Sequence, residues 1–92
     1  MSGIDPSRIY ETIEGHKMTL SVDVDEGLID DAKQLYGKAR HELEGALART
    51  EEGTKVYNIL NQALSDMPKD PKTGEELLNN YNQVLKDLGP LS

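Results

Sequence analysis

The two histidines are the first candidates for chemistry, because imidazole is both a general base and a common metal ligand. His16 lies beside a turn glycine, and His41 lies in the polar sector of a predicted long helix. His41-Glu42 matches the start of a zinc-protease signature, but Gly45 stands where its second histidine belongs. Neither histidine has a second ligand at a spacing that would bring two side chains to one metal. We therefore interpret both as solvated histidines and predict no metal and no cofactor.

The acidic residues that alternate over 21–27 give this segment the composition of a calcium-binding loop. Counting back from the glycine required at the sixth loop position places Val22 first and Val24 third, where calcium needs oxygen ligands. We therefore interpret the segment as a helix start, in which Asp23 caps the helix and Glu26 completes a capping box. The adjacent acidic pairs elsewhere point about 100° apart on a helix and do not share a site.

Nucleophilic and phosphate chemistry find no support in the sequence. The chain has no cysteine, which excludes thiolate metal sites, disulfides and cysteine nucleophiles. It contains neither a Gly-x-Ser-x-Gly nucleophile elbow nor a glycine-rich loop that ends in Lys-Ser or Lys-Thr. The sequence therefore predicts a protein that is not an enzyme.

Size and charge limit the classes of partner. Ninety-two residues with a formal charge of -7 leave room for one small domain over 1–92. Seventeen acidic against ten basic residues disfavour nucleic acid, because affinity for phosphate comes largely from cationic side chains. No apolar run approaches the roughly 20 residues that span a bilayer, and the N-terminus lacks the apolar core of a secretory signal. We predict a soluble protein without a membrane partner, cytoplasmic unless it is secreted without a leader.

The apolar spacing predicts an all-α fold, either a small three-helix bundle or a hairpin array, with a short N-terminal helix. That short helix covers 5–14, because Asp5 can cap it and Pro6 suits its first position. Residues 17–24 alternate between apolar and polar, so an extended segment is predicted near 18–24. A lone strand cannot satisfy its backbone hydrogen bonds, so this segment would pair with a second chain or lie ordered on the helices.

A long helix is predicted over 25–49, where apolar residues recur in steps of three and four without a break at Gly37. Two further helices are predicted over 54–67 and 73–88, separated by a Pro-Lys-Asp-Pro segment that forbids helix continuation. Each helical segment carries one tyrosine, which suits either a core position or an anchor in an interface. The four are Tyr10, Tyr36, Tyr57 and Tyr81.

Two stretches of the chain resemble known families. Residues 20–37 read Leu-Ser-Val-Asp-Val-Asp-Glu-Gly-Leu-Ile-Asp-Asp-Ala-Lys-Gln-Leu-Tyr-Gly, and 42–47 read Glu-Leu-Glu-Gly-Ala-Leu. Together, residues 20–47 resemble ribbon-helix-helix antitoxins of the VapB type. The resemblance implies a short strand that pairs with its dimer mate and reads the major groove, two helices in the dimer core, and a tail that covers a toxin. Thr19 and Ser21 would then face DNA.

The second resemblance covers 63–83. Residues 63–71 read Ala-Leu-Ser-Asp-Met-Pro-Lys-Asp-Pro and are followed by Leu77-Leu78, Tyr81 and Gln83. This pattern is similar to the subunits of type III secretion needles, which are small helical hairpins with two prolines in the turn. The resemblance implies a subunit that assembles with copies of itself.

The sequence thus predicts a non-catalytic, acidic helical protein that binds another protein, as inhibitors, chaperones and antitoxins do, and that self-associates as a homo-oligomer. A chain of this size covers its three apolar stripes only in part, so we expect a partner with a basic or apolar surface. The alternatives are a ribbon-helix-helix antitoxin and repressor, which needs two helices around Gly37, and a self-assembling subunit of a secretion or phage structure. The predicted contact residues are Leu28, Ile29, Tyr36 and Leu43, with Asp30, Asp31 and Glu42 at the rim.

Overall fold

The computed structural model describes residues 5–92, and these form helices and connecting turns with no strand. The predicted all-α fold class is therefore confirmed. The α-helices are α1 (Pro6–Gly15), α2 (Lys17–Asp25), α3 (Ile29–Ala48), α4 (Lys55–Ser65) and α5 (Gly74–Leu88), followed by a 3-10 turn over Gly89–Leu91. α4 packs along α5, and both contact α3, while α2 lies across α3 and α5. α1 closes the core against α5 and the terminal turn.

The extended segment predicted over 17–24 is wrong, because these residues form α2. Their alternation of apolar and polar residues also fits a helix with apolar side chains on two opposite faces. Leu20 and Val24 lie one helical turn apart and pack on the core, whereas Met18 and Val22 form a second pair that faces solvent. Such a helix has no single apolar stripe, so its sequence lacks the usual helical signal.

α2 ends in a Schellman motif that separates it from α3. Gly27 has a positive φ of 77°, its N–H donates to the Val24 carbonyl at 3.1 Å, and the Leu28 N–H donates to the Asp23 carbonyl at 2.8 Å. α3 consequently starts at Ile29 rather than at 25, and Asp23 lies in the last turn of α2 instead of capping a helix start. The chain then stays helical without a break through Gly37. Residues 20–47 therefore form the end of α2, a turn and α3, in place of a strand and two helices.

Two side chains of α3 hold the connection between α4 and α5. The Tyr36 hydroxyl donates to the Pro68 carbonyl at 2.7 Å and accepts from the Asn80 amide at 3.4 Å. The Arg40 Nε donates to the Met67 carbonyl at 2.8 Å. The helices on either side start at caps, because the Thr54 hydroxyl accepts from the Tyr57 N–H and Thr73 caps α5 in the same way.

Every helix contributes to one closed hydrophobic core. Tyr36 and Tyr81 belong to this core, so these two tyrosines are core residues and not interface anchors. The Tyr81 hydroxyl donates to the Ile13 carbonyl at 2.5 Å, and burial raises the pKa of this hydroxyl. The buried hydrophobic residues are Ile13, Leu20, Ala32, Tyr36, Ala39, Leu43, Ala46, Leu60, Ala63, Met67, Leu77, Tyr81, Val84, Leu88 and Leu91.

Candidate protein-interaction surface

The predicted contact residues do not share one surface. Tyr36 and Leu43 are 1% and 0% exposed, so they pack in the core and offer nothing to a partner. The prediction that Tyr36 and Leu43 contact a partner is therefore wrong, because the apolar stripe of α3 is the face that the other helices cover. A periodic stripe in a sequence has the same form whether its partner lies in the same chain or in another.

Glu42 is separated from the other predicted rim residues. It lies about 20 Å along the axis of α3 from Leu28, given the rise of a helix. Its Oε1 atom lies 3.2 Å from Nε2 of His16, so the two side chains tie the end of α1 to α3. His16 is thus a partner of a carboxylate and not the solvated residue expected from the sequence. The separation of 26 positions between them left no signal in the sequence.

Leu28 instead belongs to an exposed apolar cluster with two residues of α2. Met18 is 77% exposed, Val22 is 46% exposed and Leu28 is 44% exposed, and these are the exposed large hydrophobic residues of the described chain. Met18 and Val22 are neighbours because positions i and i+4 share one face of a helix. In a Schellman motif the second residue after the helix cap commonly contacts the last turn of the helix, and this geometry places Leu28 beside Val22. We call these three residues the α2 patch.

Four exposed carboxylates lie close to the α2 patch along the chain, on either side of the turn between α2 and α3. Asp30 and Asp31 lie in the first turn of α3, where negative charge is favoured by the helix dipole. Asp25 and Glu26 are also exposed, but they lie at the C-terminal end of α2, where negative charge is disfavoured and the last helical turn contains no basic residue. The helix dipole therefore accounts only for Asp30 and Asp31. Ile29 is half-buried behind them and contributes little to the surface.

A pair of carboxyl groups joins α4 to α5 at a distance from the α2 patch. Burial raises the pKa of Asp87, and its hydrogen bond and repulsion with Asp66 raise it further. The hydrogen bond from Asp87, helped by one from Gln62, lowers the pKa of Asp66. Oδ2 of Asp87 is buried without a hydrogen-bond partner among the described residues. The pair therefore favours sharing one proton.

We expect Asp87→Asn to increase stability at neutral pH by about 0.5–1 kcal/mol, because it removes a poorly compensated charge near the C-terminus of α5. The raised pKa means that the favourable contribution of Asp87 is complete below its unfolded-state pKa of about 3.9 and is lost as the pH rises through the folded-state value. Asp66, with its lowered pKa, loses its contribution as the pH falls through its own folded-state value. The gain from Asp87→Asn should therefore shrink as the pH falls from 7 toward about 4.

Urea denaturation at a series of pH values measures this difference. Asp70→Asn is the matched control, because Asp70 is exposed in the connection between α4 and α5 and its replacement makes the same change in net charge. Its effect should stay within about 0.5 kcal/mol at every pH. A gain from Asp87→Asn that is constant with pH would contradict the shared proton.

Residues 5–92 contain neither a cluster of metal-ligating side chains nor a helix that could span a membrane. Over that range no group of three or more metal-ligating side chains could hold an ion. The helices described are too short or too polar to cross a bilayer. No protein-family model matches the chain, and neither a curated protein nor a solved structure is significantly similar to it.

Proposed function

We propose that this chain is a non-catalytic, acidic helical-bundle protein that binds another protein through the α2 patch. The observation that supports the proposal is the meeting of three exposed aliphatic side chains with carboxylates that the fold does not need. We propose a partner surface with an apolar centre and basic residues around it. Inhibitors, chaperones and antitoxin-like modules act through such contacts without chemistry of their own.

The apolar part supplies affinity. Within residues 5–92, every other large apolar residue is at least partly buried, so these three exposed apolar residues in one cluster stand out. Covering them contributes on the order of 1 kcal/mol for each side chain. Met18 is flexible and polarizable, so it adapts to the shape of the opposing surface.

The carboxylates beside the α2 patch would orient the partner and make the rate of association depend on the salt concentration. A lysine or arginine placed against Asp25 and Glu26 would compensate both their charge and the carbonyl end of α2. The same carboxylates disfavour a second copy of the chain on this patch, because a symmetric contact would bring like charges together. The self-association expected from the sequence remains a separate prediction, and the closed core removes the need for it.

Site-specific crosslinking tests the proposal. A benzoylphenylalanine in place of Val22, in cells of the native host, is expected to capture a protein whose crosslinked peptide carries lysine or arginine. The matched probe replaces Asn58, which is exposed on α4. We expect the Met18→Asp/Leu28→Asp double variant to remove the Val22 crosslink and the Asn58 probe to capture nothing specific.

The purified partner then allows a quantitative measurement. Asp25→Asn/Glu26→Gln is expected to weaken binding by about tenfold and to reduce its dependence on salt. Light scattering on a sizing column shows whether the captured species is a second copy. The proposal fails if only a second copy is captured, or if both probes capture the same protein equally.

A further inference from the structure

A cleft between α1 and α3 lies away from the α2 patch. Its volume is about 450 Å³, which falls in the size range of small-molecule sites. Ile9, Ile13 and Ala46 line its apolar floor, and Gly45 leaves room beside them. A cleft of this kind has an apolar surface for the body of a ligand and polar groups at its edges.

The arginines are distributed unevenly over the chain. Of the three arginines, Arg40 is held by the Met67 carbonyl and by Glu44, so it serves the fold. Arg8 and Arg49 both line the cleft, whereas none of the seven lysines does. Arginine is the residue that recognises a carboxylate through two parallel hydrogen bonds. The cleft therefore concentrates the two arginines that the fold leaves available.

The acidic residues at the cleft already have partners. Glu42 lies against His16, and Asp5 accepts a hydrogen bond from the Ser7 hydroxyl at 2.9 Å. Within residues 5–92, Arg8 and Arg49 form no ion pair. Nη1 of Arg49 lies 3.7 Å from the place that a Cβ on Gly45 would take, so this guanidinium folds back toward the cleft.

We propose that the cleft binds a small amphipathic carboxylate, with its apolar body on the floor and its carboxylate held by Arg8 and Arg49. Arg8 lies in α1 and Arg49 directly follows α3, so the ligand would also link α1 to the end of α3. This site is independent of the proposed protein-binding surface. A chain that binds a partner at the α2 patch would carry a second, separate ligand site.

Octanoate is the probe, and its neutral and short-chain counterparts are the controls. We expect a titration followed by amide NMR to give saturable shifts at the cleft residues. Octanol has the chain without the charge, and acetate has the charge without the chain. Each should bind about tenfold more weakly than octanoate, because each lacks one of the two recognised parts.

Variants identify the groups responsible. Arg8→Gln/Arg49→Gln is expected to raise the dissociation constant of octanoate by about tenfold or more. Lys69→Gln/Lys72→Gln makes the same change in net charge on the exposed connection between α4 and α5, and should change it by less than about twofold. Gly45→Leu should block the floor sterically, with Gly45→Ala as its milder counterpart. If Gly45→Leu does not fold, the two arginine replacements decide.

Three results would overturn the proposal. One is the absence of saturable shifts up to the solubility limit of octanoate. Another is equal binding of octanol, which would mean that the arginines play no part. The third is a loss of binding in the lysine control as large as in the arginine variant, which would mean that only overall charge matters.

Discussion

Replacing Leu43 by Ala is expected to lower the free energy of unfolding by about 2–5 kcal/mol, because a fully buried leucine leaves a cavity as well as losing apolar contacts. Leu43 is 0% exposed in the C-terminal half of α3, with Ala39 one turn before it and Ala46 one turn after it. These small neighbours cannot move far enough to fill the space. Urea denaturation measures the loss, which is a large share of the stability of a domain this small.

Leu28→Ala is the matched control for this substitution. It removes the same atoms from a side chain that is 44% exposed, so its effect on stability should stay within about 0.5 kcal/mol. The effects on the affinity for a partner should be the reverse. Leu28→Ala should weaken binding, whereas the folded Leu43→Ala variant should bind as tightly as the unchanged protein. Equal losses of stability in the two variants would contradict the burial described for Leu43.

Replacing Gly74 by Ala is expected to destabilise the fold by about 1–3 kcal/mol, because there is no space for an added methyl group. A Cβ at this position would lie 2.7 Å from Cγ1 of Val24 and 3.2 Å from Cδ1 of Ile29. Val24 is β-branched and has little freedom to rotate away. The start of α5 therefore approaches the end of α2 closely only because residue 74 is glycine. Thermal unfolding followed by circular dichroism measures the effect.

Gly37→Ala should change stability in the opposite direction. A Cβ on Gly37 would meet no atom within 4 Å, and glycine in a helix interior costs roughly 0.5–1 kcal/mol relative to alanine. Both substitutions remove similar backbone freedom from the unfolded chain, so their difference isolates the contact at Gly74. A gain of stability in both variants would mean that α2 and α5 are not packed as described.

The sequence predicts the helices that have a single apolar stripe and a cap, and it fails where these signals are absent. α4 and α5 follow from Thr54, Thr73 and the prolines between them. The sequence does not predict α2, because a nine-residue helix with two small apolar faces shows the same alternation of apolar and polar residues as a half-buried strand. Leu20 and Val24 favour the helix over the strand because they pack on the core. That core is formed by helices distant in the sequence.

The candidate surface was predictable only in part. The sequence predicts Leu28, Asp30 and Asp31 as contact residues, but it places Met18 and Val22 in an extended segment. The pairing of His16 with Glu42 and the placing of two arginines at one cleft depend on how α1 packs against α3. The pattern of neighbouring residues predicts local structure. These sites combine residues from separate helices, so that pattern does not predict them.

Gly27 shapes the α2 patch without being part of it. A Cβ there would meet nothing within 4 Å, so the residue is free of steric demands, yet its φ of 77° is one that other residues seldom adopt. This one torsion reverses the chain so that Leu28 returns to the side of Val22. If the α2 patch binds a partner as proposed, the shape of that binding surface depends on the backbone angle of a residue that has no side chain to contact the partner.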